Sequence, residues 1–202
     1  MGIVFGARVC WSRVRYLPFL LVTAILAFAG ATAVWADPTP TPSPASSDPR
    51  TDDLAALVNR ARVDHAFLPL ARSQQLDAAA QAHSQDMVAN NYLDHVGADG
   101  STPQERADRA GYVVPPRSGW LVVEVISAIS DQPAGPLNWW LTESSGVHRR
   151  VLMNPRWREF GVGYAAGGDY GNYWTLLVGC RPGVLPVVTF DANVYVPTEL
   201  CA

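Results

Sequence analysis

Apolar residues recur at intervals of three and four along the first half of the chain, and this spacing predicts amphipathic helices. The first set lies behind the capping residues 51–53 and comprises Leu54, Leu57, Val58 and Ala61. We expect this helix to end before Pro69. A second helix is predicted from about Ser73 to Asn90. His83 lies on its apolar stripe, so we expect a hydrogen-bonded core histidine there rather than a metal ligand.

Alternating positions predict β-structure in the second half of the chain. The run Trp120–Ser127 is rich in β-branched residues and is predicted as a strand with Val122, Glu124 and Ile126 on one face. Two further strand-like runs, 160–166 and 173–179, flank the glycine-rich connection G-G-D-Y-G-N and predict a β-hairpin. The alternating run 187–196 lies among prolines and is a candidate edge strand.

Shorter helices are predicted between these segments. Thr102, Pro103 and Glu105 form a capping box with proline at the first helical position, and Gly111 ends that helix. Another helical segment begins at Trp139 and Trp140.

The stretch 143–162 predicts one more short helix. It combines a start signal at Ser144 or Ser145, a helical face of His148, Val151 and Leu152, and a stop at Pro155. A histidine in the first turn lies near the positive end of the helix dipole, which favours the neutral imidazole. His148 is therefore placed to bind a metal or to accept a proton.

The first fifty residues differ from the rest. Arg8, Arg13 and Arg15 precede an apolar run, 17–34, that ends in small residues. This is the layout of a secretory signal peptide, predicted as residues 1–36, and an uncleaved membrane anchor is the alternative. Residues 37–50 contain five prolines among threonines and serines, which predicts an extended linker. We therefore expect a secreted protein with no membrane span after cleavage.

Charge and cysteine content narrow the function further. After removal of residues 1–36 the chain carries twelve arginines against eighteen carboxylates, a net charge of −6, so no basic stripe favours a nucleic acid partner. Cys180 and Cys201 remain, since Cys10 lies in the signal segment. Export to an oxidising compartment favours a disulfide between them, worth about 3 kcal/mol in the chain-entropy model, that pins the C-terminal tail.

Two further side chains are candidates for chemistry. His95 is followed by Gly97 and Gly100 and so is expected in a loop, where site residues concentrate, although an exposed loop histidine is often merely solvated. Glu124 lies between two apolar neighbours on its strand face, which is costly unless it is paired, binds a cation or lies at a solvated edge.

Several segments, in this order, resemble the CAP family of cysteine-rich secretory, antigen 5 and pathogenesis-related proteins in its compact bacterial form. The segments are H-S-Q-D-M from His83, H-x-G-x-D-G-x-T-P from His95, the strand glutamate Glu124, W-x-x-E ending at Glu143, and the stretch around His148. Where the family carries G-E-N, this chain has Val123 and Val125 around the glutamate.

The resemblance implies an α+β fold, an α-β-α sandwich in which helices cover both faces of a small mixed or antiparallel sheet. The domain would span 51–182, with 183–202 as a C-terminal extension. His95, Glu124, Glu143 and His148 would line one cleft. Two imidazoles with carboxylates or water suit Zn²⁺ or another divalent cation.

Three function classes stay open at this point. The resemblance implies first a secreted binding protein whose cleft takes a divalent cation and also a small apolar, lipid or sterol-like ligand. The second class is a metal-assisted hydrolase with Glu124 as general base. The third is a structural or partner-binding module without metal. No nucleophile with an adjacent base is visible in the sequence, so binding ranks above catalysis.

Overall fold

The computed structural model describes residues 48–114 and 122–187 of the 202-residue chain. The signal segment 1–36, residues 37–47 of the linker, the start of the predicted strand at Trp120, most of the candidate strand 187–196 and Cys201 lie outside the described residues. None of the described helices is long and apolar enough to cross a membrane.

The described elements alternate between helix and strand. The helices are α1 (Pro49–Asp64), α2 (Gln74–Asn90), α3 (Pro103–Arg109), α4 (Ala134–Thr142) and α5 (Val147–Leu152). The strands are β1 (Ala71–Arg72), β2 (Val122–Ser127), β3 (Glu159–Gly167) and β4 (Gly171–Gly179). The two long helices confirm the predictions from hydrophobic spacing. The capping-box helix and the β3–β4 hairpin confirm the predictions from the capping residues and from the glycine-rich connection.

Helix ends follow the local capping chemistry. The Ser73 side chain accepts a hydrogen bond from the Leu76 amide at the start of α2, and Asn91 ends that helix in the left-handed conformation with φ of 57°. Helix α1 begins two residues before the predicted capping residues, because the Asp48 carboxylate caps it and proline occupies its first turn.

Two short helices differ from their predicted starts. Helix α4 begins at Ala134, five residues before Trp139, although Pro133 supplies no side-chain cap. Helix α5 begins at Val147 with Gly146 as N-cap, rather than at either serine, because Gly146 adopts a φ of 63° that favours glycine. His148 nevertheless lies in the first turn, as predicted.

The sheet is mixed, with strand order β1-β3-β4-β2. The two-residue β1, which the hydrophobic pattern does not predict, pairs in parallel with β3 through Ala71 and Glu159. β4 pairs antiparallel with β3 on one side and with β2 on the other. β2 therefore lies at the edge of the sheet that the described residues form.

Helices cover both faces of this sheet. Helices α2 and α3 pack on one face, where Leu76, Val122 and Leu177 join one apolar cluster. Helices α1, α4 and α5 pack on the other, over a larger cluster that includes Leu54, Val125, Trp140, Leu152, Val162 and Trp174. The structure is thus an α-β-α sandwich of the α+β class, as the resemblance implies.

Gly161 and Gly163 bring α2 against the hairpin. A Cβ at Gly163 would lie 2.3 Å from the backbone of Ala80, and one at Gly161 would lie 2.1 Å from the backbone of Leu76. Side chains there would push the helix away from β3. This close contact fixes α2, and with it His83, relative to the sheet.

Candidate functional site

His95 lies in the loop between α2 and α3, and neighbouring elements hold that loop at two points. From α2, His83 Nε2 donates a hydrogen bond to the Asp94 carbonyl at 2.9 Å. From α3, Arg106 donates to the His95 carbonyl at 3.0 Å. The loop position of the histidine is as predicted, and these contacts fix its backbone.

Glu124 is buried and paired. Its side chain is 1% exposed on β2, on the face that carries α2 and α3. One carboxylate oxygen accepts from His95 Nδ1 at 2.9 Å, and the other accepts from Arg106 at 2.8 Å. A buried carboxylate is stable only with such partners. The pairing decides between the alternatives left by the strand pattern, and Glu124 is not solvated.

His83 lies behind this pair. It is fully buried, and its Nε2 is 3.6 Å from the nearer oxygen of Glu124. Burial lowers the pKa of His83 below the ordinary imidazole value, against the attraction of Glu124. The ring is therefore neutral at pH 7 and donates from Nε2, which agrees with its predicted place in the core.

The pKa of His95 changes in the opposite direction. The hydrogen bond to Glu124 raises it above the ordinary value, because the carboxylate stabilises the imidazolium more than partial burial opposes it. The side chain remains 49% exposed. With Nδ1–H directed at Glu124, Nε2 is the ring nitrogen left for a ligand.

Glu143 and His148 form a second pair on the other face of the sheet. Glu143 is the C-cap residue of α4, and its carboxylate accepts hydrogen bonds from the amides of Ser145 and His148 at 2.7 and 3.3 Å. Hydrogen bonds from Ser145 lower the pKa of Glu143 to about 2. Its nearer oxygen lies 3.4 Å from His148 Nδ1, and the Trp139 ring packs on the imidazole at a centroid distance of 4.7 Å.

A cleft of about 370 Å³ brings the two histidines to one place. His95 enters it from the α2–α3 side and His148 from the α4–α5 side. The remaining lining residues are Leu93, Asp94, Ile126, Ser127, Ala128, Ile129, Trp139 and Tyr170. Neither glutamate lines the cleft. Each instead lies beside the Nδ1 atom of its histidine.

Since neither Glu124 nor Glu143 lines the cleft, a divalent cation there would be held by the two imidazoles rather than by these two carboxylates. Metal-bound histidines commonly direct the other ring nitrogen to a carboxylate, as His95 does toward Glu124. His148 Nδ1 is buried beside Glu143 and has no hydrogen-bond partner in the described part of the chain. Within residues 48–114 and 122–187, no group of three or more histidine, cysteine, aspartate or glutamate side chains is arranged to hold a metal ion. The described residues would thus supply two ligands.

The roles of two residues of the site were not predicted from the sequence. Arg106, which follows the His95 motif and belongs to the resemblance, is buried and holds both Glu124 and the His95 loop. Ser127 lines the cleft, is 3% exposed, and its hydroxyl has no partner among the described residues. Among the described residues no base contacts this hydroxyl, as the activation of a nucleophilic serine requires.

Cys180 is buried at the end of β4. Cys201 lies outside the described residues. The predicted pairing of the two therefore stays a prediction.

Comparison with known proteins identifies relatives of this domain. Residues 55–178 match the model of the cysteine-rich secretory protein family, CAP. The Bacillus subtilis protein YkwD is 28% identical over 137 residues, which cover 68% of this chain and 49% of YkwD. The chain thus spans about half the length of this relative.

Solved structures agree with the fold. An extracellular protein from Bacillus anthracis that contains an SCP domain superposes with a TM-score of 0.56 at 29% identity, over 67% of this chain and 41% of that one. An outer surface protein of Borrelia burgdorferi superposes with a TM-score of 0.55 over 66% of this chain and 94% of that one. At 19% identity the second likeness shows the fold alone.

Proposed function

Because the chain belongs to the cysteine-rich secretory protein (CAP) family, we propose that it is an exported binding protein whose cleft takes a divalent cation between His95 and His148. The observation that carries the proposal is that both imidazoles line one cleft, each with a carboxylate beside its Nδ1 atom. Zn²⁺ is the first choice, since it takes neutral imidazole readily and completes its coordination with water or a bound ligand.

The two glutamates act through the histidines. Glu124 holds Nδ1–H of His95, which orients the ring and leaves Nε2 for the cation. Glu143 is placed to do the same for His148. A bound cation would supply a Lewis acid that attracts an electron-rich atom of the ligand. Since Arg106 and His95 already occupy both oxygens of Glu124, a role for Glu124 as general base is disfavoured and binding ranks above hydrolysis.

The apolar rim of the cleft supports a ligand with an apolar part. Leu93, Ile129, Trp139 and Tyr170 all line it and are between 37% and 53% exposed. Contiguous exposed apolar side chains commonly mark a binding site. A small apolar, lipid or sterol-like molecule, as the family resemblance suggests, is one candidate for this rim.

Zinc calorimetry tests the cation site. We expect the wild-type protein to bind one Zn²⁺ and both His95→Ala and His148→Ala to lose at least about tenfold in affinity, because each removes one of two protein ligands. His65→Ala is the matched control, since His65 is exposed at the end of α1. Equal binding by all four proteins, or binding by none, would overturn the proposal.

The same titration at several pH values tests the ligand type. Protons compete with the cation for neutral imidazole, so affinity should fall as the pH decreases. Since the pKa of His95 is raised, the fall should begin above pH 6.5, the ordinary imidazole value. Affinity independent of pH between about 5 and 8 would exclude histidine ligands.

Export is the second part of the proposal, supported by the signal-like residues 1–36 and by the extracellular relative from Bacillus anthracis. Mass spectrometry of the protein in culture fluid should find an N-terminus near Asp37. Full-length protein held in the membrane would favour the anchor instead.

Export also supports the disulfide. Non-reducing peptide maps of the mature protein should join Cys180 to Cys201. Two thiols that alkylate without denaturant would exclude the disulfide.

A further inference from the structure

The outer edge of β2 carries backbone groups that form no hydrogen bond with the described residues. Backbone hydrogen bonds of β3 show which of its residues direct their amides and carbonyls toward β4 and which direct them away from it. The amides of Val162 and Tyr164 bond to Asp77 and Gln81 on α2, at 2.8 and 3.0 Å, so these two residues direct their polar groups away from β4. Since the direction alternates along a strand, Gly161 and Gly163 bond to β4.

The same alternation extends across β4 to β2. Gly161 pairs with Leu177, so Leu177 faces β3 and its neighbour Leu176 faces β2, where it pairs with Val125. Within β2, Val125 therefore bonds to β4, whereas Ile126 directs its amide and carbonyl outward. A hydrogen bond from Trp140 Nε1 to the Ile126 carbonyl at 2.9 Å agrees with this direction.

Beyond that carbonyl, the described residues provide no partner for this edge. The Ile126 amide and both backbone groups of Ala128 make no hydrogen bond to any part of the chain between residues 48 and 114 or between 122 and 187. Backbone amides and carbonyls in folded proteins are nearly always paired with protein or water. An unpaired strand edge is a template for another extended chain.

This edge lies in the cleft. Four consecutive residues, Ile126, Ser127, Ala128 and Ile129, line it. Ile126 and Ser127 end β2, and Ala128 and Ile129 follow outside the strand. Successive side chains of a strand point to opposite faces, so a wall that takes in both Ile126 and Ser127 includes their backbone. The cleft is therefore bounded in part by the end of β2 and by the residues that follow it.

The lining indicates the chemistry of the occupant. The lining contains no arginine and one carboxylate, Asp94, beside the imidazoles of His95 and His148, so its side chains carry little fixed charge. Apolar side chains flank the edge on both sides, with Leu93 from the α2–α3 side and Trp139 from α4. A lipid would satisfy these apolar surfaces but would leave the amide and carbonyl of Ala128 without partners.

We propose that the cleft binds a short, extended and uncharged segment of a peptide. It pairs with the outward amide of Ile126 and with the backbone of Ala128, just beyond the end of β2, and places alternate apolar side chains against Leu93 and Trp139. This mode of recognition draws affinity from main-chain hydrogen bonds and specificity from alternate side chains. The inference rests on the proposed role of the cleft as a binding site and names its ligand class. It does not require the cation.

The test uses random hexapeptides without charged residues, displayed on phage and selected on the mature full-length protein in the presence of EDTA. We expect enrichment of sequences with apolar residues at alternate positions. Synthetic copies of the enriched peptides should bind at least about tenfold more weakly to Ala128→Pro, which removes one amide donor from the edge. Ser127, the preceding residue, is already extended, so proline at 128 is compatible with the fold.

Two controls separate edge pairing from other binding. Ala128→Ser keeps the amide and should bind the peptides as tightly as wild type. Peptides N-methylated at alternate residues should lose affinity for both the wild-type and the Ala128→Ser protein. In ¹⁵N spectra the amides of Ile126 and Ala128 should shift on peptide binding.

Failure to enrich any peptide would overturn the proposal, as would equal binding to Ala128→Pro or undiminished binding of N-methylated peptides. Binding of the fluorescent sterol dehydroergosterol without any peptide selection would favour the lipid instead. Because EDTA removes the cation, loss of peptide binding and loss of zinc binding are distinguishable outcomes.

Discussion

On the α2–α3 side of the cleft, His95 is held by groups that are distant in the sequence, whereas on the α4–α5 side His148 is held by near neighbours. Glu124 is 29 residues from His95, and it also bonds Arg106 from another element. Glu143 is five residues from His148, and its carboxylate bonds amides of the intervening loop. Both sides produce a histidine beside a carboxylate, but only the first depends on tertiary packing.

The largest expected difference between the two sides is in stability. Glu124→Ala should lower the free energy of unfolding by about 3–5 kcal/mol, because it leaves Arg106 buried without its counter-ion. Glu143→Ala should change the denaturation midpoint far less, since its partners are local amides. Urea denaturation of the two variants measures both effects. Equal losses would mean that the α2–α3 side is not held by this ion pair.

A second, smaller effect is expected at His83. Replacement by alanine removes the hydrogen bond to the Asp94 carbonyl, which then has no donor, at a cost of about 1–3 kcal/mol. Amides of the loop that carries His95 should exchange faster with solvent, whereas the segment 143–148 should be unchanged. His65→Ala is the control with an exposed histidine. Unchanged exchange in the His95 loop would show that His83 does not position it.

The sequence predicted the local features of this site better than the tertiary ones. Spacing placed His95 in a loop, His83 on the buried stripe of α2 and His148 in a first helical turn, because each depends on a few neighbouring residues. It could not show that Arg106 reaches Glu124, since that contact requires α3 to pack beside β2. The start of α5 was wrong because the φ of Gly146, rather than a serine side chain, sets it.

The third prediction concerns pH and compares His95 with His83. In the metal-free protein, NMR titration should find the pKa of His95 above 6.5, and Glu124→Gln should return it toward that value. The stabilisation of the folded protein by the His95–Glu124 pair is complete below pH 6.5 and is lost as the pH rises through the folded-state pKa of His95.

His83 has the opposite linkage, because its folded-state pKa is lowered. The stabilisation that neutral His83 contributes to the folded protein is complete above pH 6.5 and is lost as the pH falls through the folded-state pKa. Denaturation midpoints of His83→Ala and wild type should therefore converge under acidic conditions. A constant difference between the two proteins across this range would contradict the linkage.

The smallest effect is expected at Glu143. Ser145→Ala removes the hydroxyl that contributes most to its low pKa of about 2, so the carboxyl should titrate at a higher pH in ¹³C spectra. The environment of His95 should not change, since the hydrogen bonds of Ser145 with described residues all lie on the α4–α5 side. A shift in His95 signals would show that the two sides are coupled without a cation.

Anomalous diffraction at the zinc absorption edge, from crystals of the mature protein soaked in Zn²⁺, tests the central claim most directly. The account predicts one strong peak in the cleft, in contact with both His95 and His148, with Glu124 and Glu143 behind the two rings and not coordinated. The peak should be absent in His148→Ala crystals. A peak coordinated by the glutamates, or a wild-type cleft without any peak, would contradict the account.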